Sequence, residues 1–150
     1  MTTRWGAPIV ICMEYVTGTA APTVAGDAFV RGQRKRFSLS LSEYRGTWAV
    51  VAFAPRHTDV LELAALEEAF GADGAIVLAA TPADYHETAY RYGEEPVRFP
   101  FLTEVTEQRR ITMIVDPGGV VRHVGLRRSA RETLAALEEL LVAPQLRVAA

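Results

Sequence analysis

The chain carries two unbroken apolar runs, Trp48-Ala-Val-Val-Ala-Phe53 and Ala75-Ile-Val-Leu-Ala-Ala80. Such runs predict strands buried on both faces, because a half-exposed strand alternates apolar with polar positions. Between them Leu63, Leu66 and Phe70 recur at helical spacing, and Gly71 and Gly74 end the pattern. Asp59 is the expected N-cap of that helix, with Glu62 three residues on resembling a capping box. Thr81-Pro82-Ala-Asp84 predicts a further helix, with Thr81 as N-cap and Pro82 at its first position.

On either side of this centre the pattern is shorter in period. Residues 9–16 read as a strand, followed by a Gly/Thr/Ala/Pro-rich loop to about Gly26. Residues 28–31 and 35–39 predict a hairpin about Gly32. Leu41-Ser-Glu-Tyr-Arg-Gly46 reads as a short turn. Residues 111–115 and 120–124 flank Asp116-Pro-Gly-Gly119, a strong hairpin signal. Ser129 and Glu132 form a capping box that opens a helix carrying Leu134, Leu137 and Leu141, with Pro144 as its expected stop. Strand–helix–strand–helix followed by hairpin and helix is an α/β arrangement with a mixed sheet.

Composition narrows the function classes. At 150 residues the chain is one domain's worth, with 49% apolar and 23% charged residues. A net charge of −2 gives no general attraction to nucleic acid or to an anionic membrane. The basic run Arg31-Gly-Gln-Arg34-Lys35-Arg36 reads as a solvated hairpin turn. The single cysteine, Cys12, excludes an internal disulfide framework and fits a reducing cytoplasm. The apolar stretch around it is too short to span a bilayer and lacks the flanks of a signal peptide.

Several stretches then resemble one family in their order and spacing. They are Leu39-Ser-Leu-Ser-Glu-Tyr-Arg-Gly-Thr-Trp48, Phe53-Ala-Pro55, residues 62–70, residues 110–124 and Arg128-Ser-Ala-Arg-Glu-Thr-Leu134. Together they are similar to the peroxiredoxin branch of the thioredoxin-like fold, the alkyl hydroperoxide reductase/thiol-specific antioxidant family. The resemblance spans residues 18–141. It implies a mixed sheet flanked by helices, with an N-terminal β-hairpin extension.

In that family a cysteine thiolate in the first turn of the helix after Phe-x-Pro attacks a peroxide. A helix N-terminus and a nearby arginine lower the pKa of such a thiol. The family motif is Pro-x-x-x-Thr-x-x-Cys followed by Pro-Thr-Glu. Pro55, Thr58 and Glu62 match it, and Arg110 matches the arginine that helps bind peroxide. The cysteine has no match. Three residues beyond Thr58 stands Leu61; aligning back from Glu62 gives Asp59. The second register is preferred, because a gap is more easily absorbed in a loop than inside a packed helix. The connection between Leu102 and Arg110 is also shorter than the family's helix and loop. No counterpart of the family's C-terminal arm with a resolving cysteine is expected in residues 146–150.

Candidate chemistry follows from these residues. Cys12 has apolar neighbours and no nearby cation in sequence, so it reads as a structural thiol and only as a fallback nucleophile. Asp59 facing Arg110 would mimic the family's thiolate with a permanent charge; its plainer reading is a helix cap with a partner charge. His57, His86 and His123 have no metal-type spacing, so neither metal nor cofactor is expected. No G-x-S-x-G elbow and no Gly-rich phosphate loop is present.

The leading expectation is therefore a non-catalytic structural, accessory or regulatory protein acting through protein–protein contacts. The alternatives are a thiol-dependent peroxidase working through Cys12 and a small-ligand carrier using the vacated pocket. The resemblance implies a homodimer, through the strand between Val120 and Val124 or through loops on the site's side. A larger protein partner is the other expectation.

Overall fold

The apolar run Trp48–Phe53 forms the strand around which the sheet is built. The computed structural model describes residues 15–33 and 36–149. Its strands are β1 (Ala25–Phe29), β2 (Phe37–Ser40), β3 (Trp48–Phe53), β4 (Ala75–Ala80), β5 (Phe101–Leu102), β6 (Ile111–Val115) and β7 (Val121–Leu126). Its helices are α1 (His57–Ala65), α2 (Glu67–Ala72), α3 (Tyr85–Tyr92) and α4 (Ala130–Ala149), with a 3₁₀ turn at Leu41–Tyr44. Among the described residues the strands make one mixed sheet in the order β2-β1-β5-β4-β3-β6-β7.

β3 runs parallel to β4, with Trp48 opposite Ala75, and antiparallel to β6, with Phe53 opposite Ile111. The parallel connections β3 to β4 and β4 to β5 step the same way across the sheet. Right-handed crossovers then put their helices on one face. That face holds Val60 and Leu63 of α1, Phe70 of α2, Tyr92 of α3 and Leu137 of α4 in one apolar cluster. The other face holds Val51, Phe53, Leu78 and Met113, with Tyr15 and Ala21 packed against them.

Both hairpins form as expected, β1–β2 on one margin and β6–β7 on the other. The first is the expected N-terminal extension, its strands shifted by a few residues from the pattern. The expected strand over residues 9–16 lies outside the described residues except at its last two positions, which are not in a strand. Four expected elements change: the helix read from Asp59 through Phe70 is broken at Leu66 into α1 and α2. α1 begins at His57, so Asp59 is not its N-cap. α3 is capped by Asp84, whose Oδ1 accepts the Glu87 N–H at 2.8 Å, rather than by Thr81. α4 continues past Pro144. A proline forfeits one helix hydrogen bond, and the helix-forming residues on both sides carry the backbone on.

The margin at β7 is half covered. Val121 exchanges hydrogen bonds with Gly18 and Thr19, and Ala20 bridges Val120. Arg127 N–H donates to the Arg110 carbonyl at 2.9 Å. In an antiparallel ladder bonded and unbonded pairs alternate. Gly125 opposite Thr112 is then bonded, whereas Val124 opposite Met113 and Leu126 opposite Ile111 turn their N–H and C=O groups outward. The expected edge, Val120–Val124, is therefore covered at its start and open at Val124, with Leu126 beyond it open as well.

Candidate functional site

The site lies at the C-terminal end of β3, where the chain turns sharply into α1. Ala54 sits in the left-handed region at φ 45°, and its N–H donates to the Ala80 carbonyl at 2.7 Å. A non-glycine residue held there is strained. Pro55 follows, and extended Arg56 at φ −77°, ψ 162° precedes the first helical residue, His57. Asp59 is thus the third residue of the helix. Its Oδ2 accepts the Arg56 N–H at 2.9 Å, closing the helix from inside.

Arg110 reaches the same carboxylate from the other side. It immediately precedes β6, and because Ile111 pairs with Phe53 it comes level with the turn at Ala54. Its Nε donates to Asp59 Oδ2 at 2.5 Å and its Nη2 to Oδ1 at 2.6 Å. Both side chains are mostly buried, 14% and 23% exposed. Burial pushes the Asp59 carboxyl up, but the Arg110 hydrogen bonds, the Arg56 N–H and both positive charges outweigh it. The carboxyl is held below the usual carboxylate range. The same contact raises the Arg110 guanidinium, and Glu62 adds to the effect through its charge.

Of the sequence-predicted residues, the structure brings Pro55, Asp59 and Arg110 into one small cleft, floored by Phe53, Leu63 and Thr133. Thr58 and Glu62 are exposed on the first turns of α1 and do not line it. The cleft holds about 20 Å³, room for a single water. Cys12 lies outside the described residues. The histidines are far apart in use: His57 stacks on Tyr92 at 5.3 Å with Nε2 3.4 Å from Glu95, and His86 contacts Arg36 at 3.2 Å. Burial and the Arg128 charge lower the His123 pKa. Among the described residues no group of three metal-ligating side chains converges.

A second charged knot was not legible in the sequence. Glu107 is buried, and its carboxylate accepts from the Arg109 N–H at 2.7 Å and from Arg109 Nε and Nη2 at 3.0 Å each. Tyr15 donates its hydroxyl to Glu107 Oε1 at 3.2 Å while its ring lies 5.1 Å from Phe53. The Arg109 hydrogen bonds hold the Glu107 carboxyl below its usual range, and burial with the Glu107 charge pushes the Tyr15 hydroxyl up. Through Tyr15 the knot ties the short connection between β5 and β6 to the face opposite α1–α4. The spacing Glu107-x-Arg109 is a signal only once Tyr15 is known to be near.

No family model and no curated protein matches the sequence. Solved structures match the fold along nearly its whole length. Enterococcus faecalis AhpC superposes with a TM-score of 0.76 at 14% identity, covering 88% of this chain and 96% of that one. The reduced 2-Cys peroxiredoxin of Plasmodium vivax gives 0.74 at 16%, covering 86% and 98%. Mycobacterium tuberculosis AhpC gives 0.71 at 21%, covering 84% and 93%. The fold is therefore the thioredoxin-like α/β fold of the peroxiredoxin type, in a chain with one cysteine. Among the described residues no helix is long and apolar enough to cross a membrane.

Proposed function

We propose that the chain is a non-catalytic protein on the peroxiredoxin fold, acting as a structural, accessory or regulatory subunit through protein–protein contact. One observation carries the reading. At the helix opening, where the resemblance puts a thiol, stands a carboxylate, and both its oxygens are bound by the arginine that resembles the peroxide-binding one. A carboxylate cannot cycle through sulfenic acid. An arginine engaged bidentately has its best-aligned donors committed. In this reading Pro55, Asp59 and Arg110 form a structural lock, and Thr58 and Glu62 its solvent-facing rim. The one-water cleft speaks against a small-ligand carrier at this site.

The partner we favour is a second copy, joined edge to edge at β7. The outward N–H and C=O groups of Val124 and Leu126 support this, since an open strand edge is a template for pairing. Leu126 is also 60% exposed, leaving apolar surface beside them. One continuous sheet with apolar clusters on both faces supports a single domain. The lone cysteine supports a reducing, cytoplasmic setting.

Sedimentation velocity tests the assembly. Wild type is expected to be a dimer, and Leu126→Pro, which removes an outward donor without touching β6, a folded monomer. A wild type that stays monomeric at high concentration contradicts the edge-paired assembly.

A further inference from the structure

A second cleft lies at the opposite end of the β3–β6 pair. Ala49 and Val115 line it, four ladder positions from Phe53 and Ile111, roughly 13 Å along the strands from the Asp59 lock. It holds about 100 Å³ and opens to solvent, so it admits a molecule of a few non-hydrogen atoms. Its walls are tied together: Leu41 N–H donates to Val24 O at 2.8 Å, Gly46 N–H to Pro117 O at 2.9 Å, and Thr47 N–H to Tyr44 O at 3.1 Å. The cleft is thus pre-formed, as ligand sites usually are.

Its charge is one-sided. Arg45 lies flat on Gly119, so close that a Cβ there would fall 2.7 Å from its Nε. Gly119, at φ 85°, leaves that room open. Among the described residues no carboxylate is paired with Arg45. The carboxylate that lines the cleft, Asp116, is already used. Its Oδ1 accepts the Gly118 and Val120 N–H groups at 2.9 Å each, and its Oδ2 accepts Arg122 Nε at 2.8 Å. A guanidinium without a carboxylate partner therefore lines the cleft, as do the hydroxyl-bearing Ser42 and Thr47. Val24, Leu41 and Val115, all buried, supply apolar wall to the cleft.

We propose that this cleft binds a short-chain aliphatic carboxylate, its head on Arg45 and its alkyl end against Val24, Leu41 and Val115. A guanidinium fork matches a carboxylate in two parallel hydrogen bonds, and the apolar part of the wall favours an alkyl body over a bare oxyanion.

Amide NMR of the full chain titrated with butyrate tests it, with butanol and inorganic phosphate as separate arms. Butyrate is expected to shift the Thr47, Ala49 and Gly119 amides saturably, with a dissociation constant on the order of 1 mM. Butanol and phosphate are each expected to bind about tenfold more weakly, because each lacks one half of the match. Arg45→Gln should weaken butyrate by about tenfold, and Arg45→Lys by less, with the Asp59 amide unmoved. An absence of saturable shifts, equal binding by Arg45→Gln, or phosphate binding as tightly as butyrate overturns the assignment.

Discussion

Arg110 holds both carboxylate oxygens of Asp59 across 51 positions of sequence, with its Nε 2.5 Å from Oδ2 and its Nη2 2.6 Å from Oδ1. The contact joins the first turn of α1 to the start of β6, and so fixes the opening of the helix to the sheet. Removing one partner strands the other in a mostly buried place. Asp59→Ala is expected to lower stability by about 2 kcal/mol, measured by chemical denaturation. Arg110→Met should cost a similar amount, and the double variant less than the sum, with a coupling of about 1–2 kcal/mol. An unchanged denaturation midpoint in Asp59→Ala contradicts the lock.

Acid should loosen the fold through three carboxyls. Burial pushes Asp59 and Asp116 up, but arginine and backbone N–H partners outweigh it; for Glu107 the Arg109 hydrogen bonds dominate. All three sit below their usual range when folded. Below about pH 4 the unfolded chain then binds more protons than the native one, so stability falls as pH falls through the folded values. Denaturation midpoints are expected to be level near neutrality and to drop below about pH 4. Asp59→Asn should be less stable at neutral pH and decline less steeply in acid. A variant with the wild-type acid profile contradicts the assigned shift.

Gly26 is required by close approach, since a Cβ there would lie 2.5 Å from the Thr103 carbonyl oxygen. That oxygen belongs to the backbone leaving β5 and cannot swing aside. Gly26→Ala is expected to cost about 2–3 kcal/mol by forcing β1 away from the connection after β5. Equal thermal stability of Gly26→Ala and wild type contradicts the geometry.

Tyr15 ties its segment to the sheet in two ways that substitution can separate. Tyr15→Phe keeps the ring on Phe53 and removes only the hydroxyl bond to Glu107, which retains Arg109. A loss of about 1 kcal/mol is expected. Tyr15→Ala removes the ring as well and should cost about 3 kcal/mol. Equal losses in the two variants contradict this division.

Much of the architecture was legible because it rests on local patterns. The apolar runs at 48–53 and 75–80 became β3 and β4 without change, since six consecutive apolar residues suit little but a strand covered on both faces. The Asp116 hairpin and the Ser129–Glu132 capping box formed as read, each specified within a few residues. The start of α1 was misread for a physical reason. Asp59 closes the helix from its third position by accepting the Arg56 N–H, so its side chain faces back toward the cap instead of standing at it. The pairing of Asp59 with Arg110 was readable only through the family resemblance. The Tyr15–Glu107–Arg109 knot depends on two segments 92 positions apart and had no such guide.

Peroxide consumption decides whether the lock at Asp59 has replaced thiol chemistry with structure. Hydrogen peroxide loss should be followed for the full chain and for Cys12→Ser in the presence of a thiol reductant. Both are expected to consume peroxide no faster than an equal concentration of free thiol. Turnover faster than free thiol in the wild type, abolished in Cys12→Ser, would overturn the structural role of the lock and make the chain a peroxidase working through Cys12.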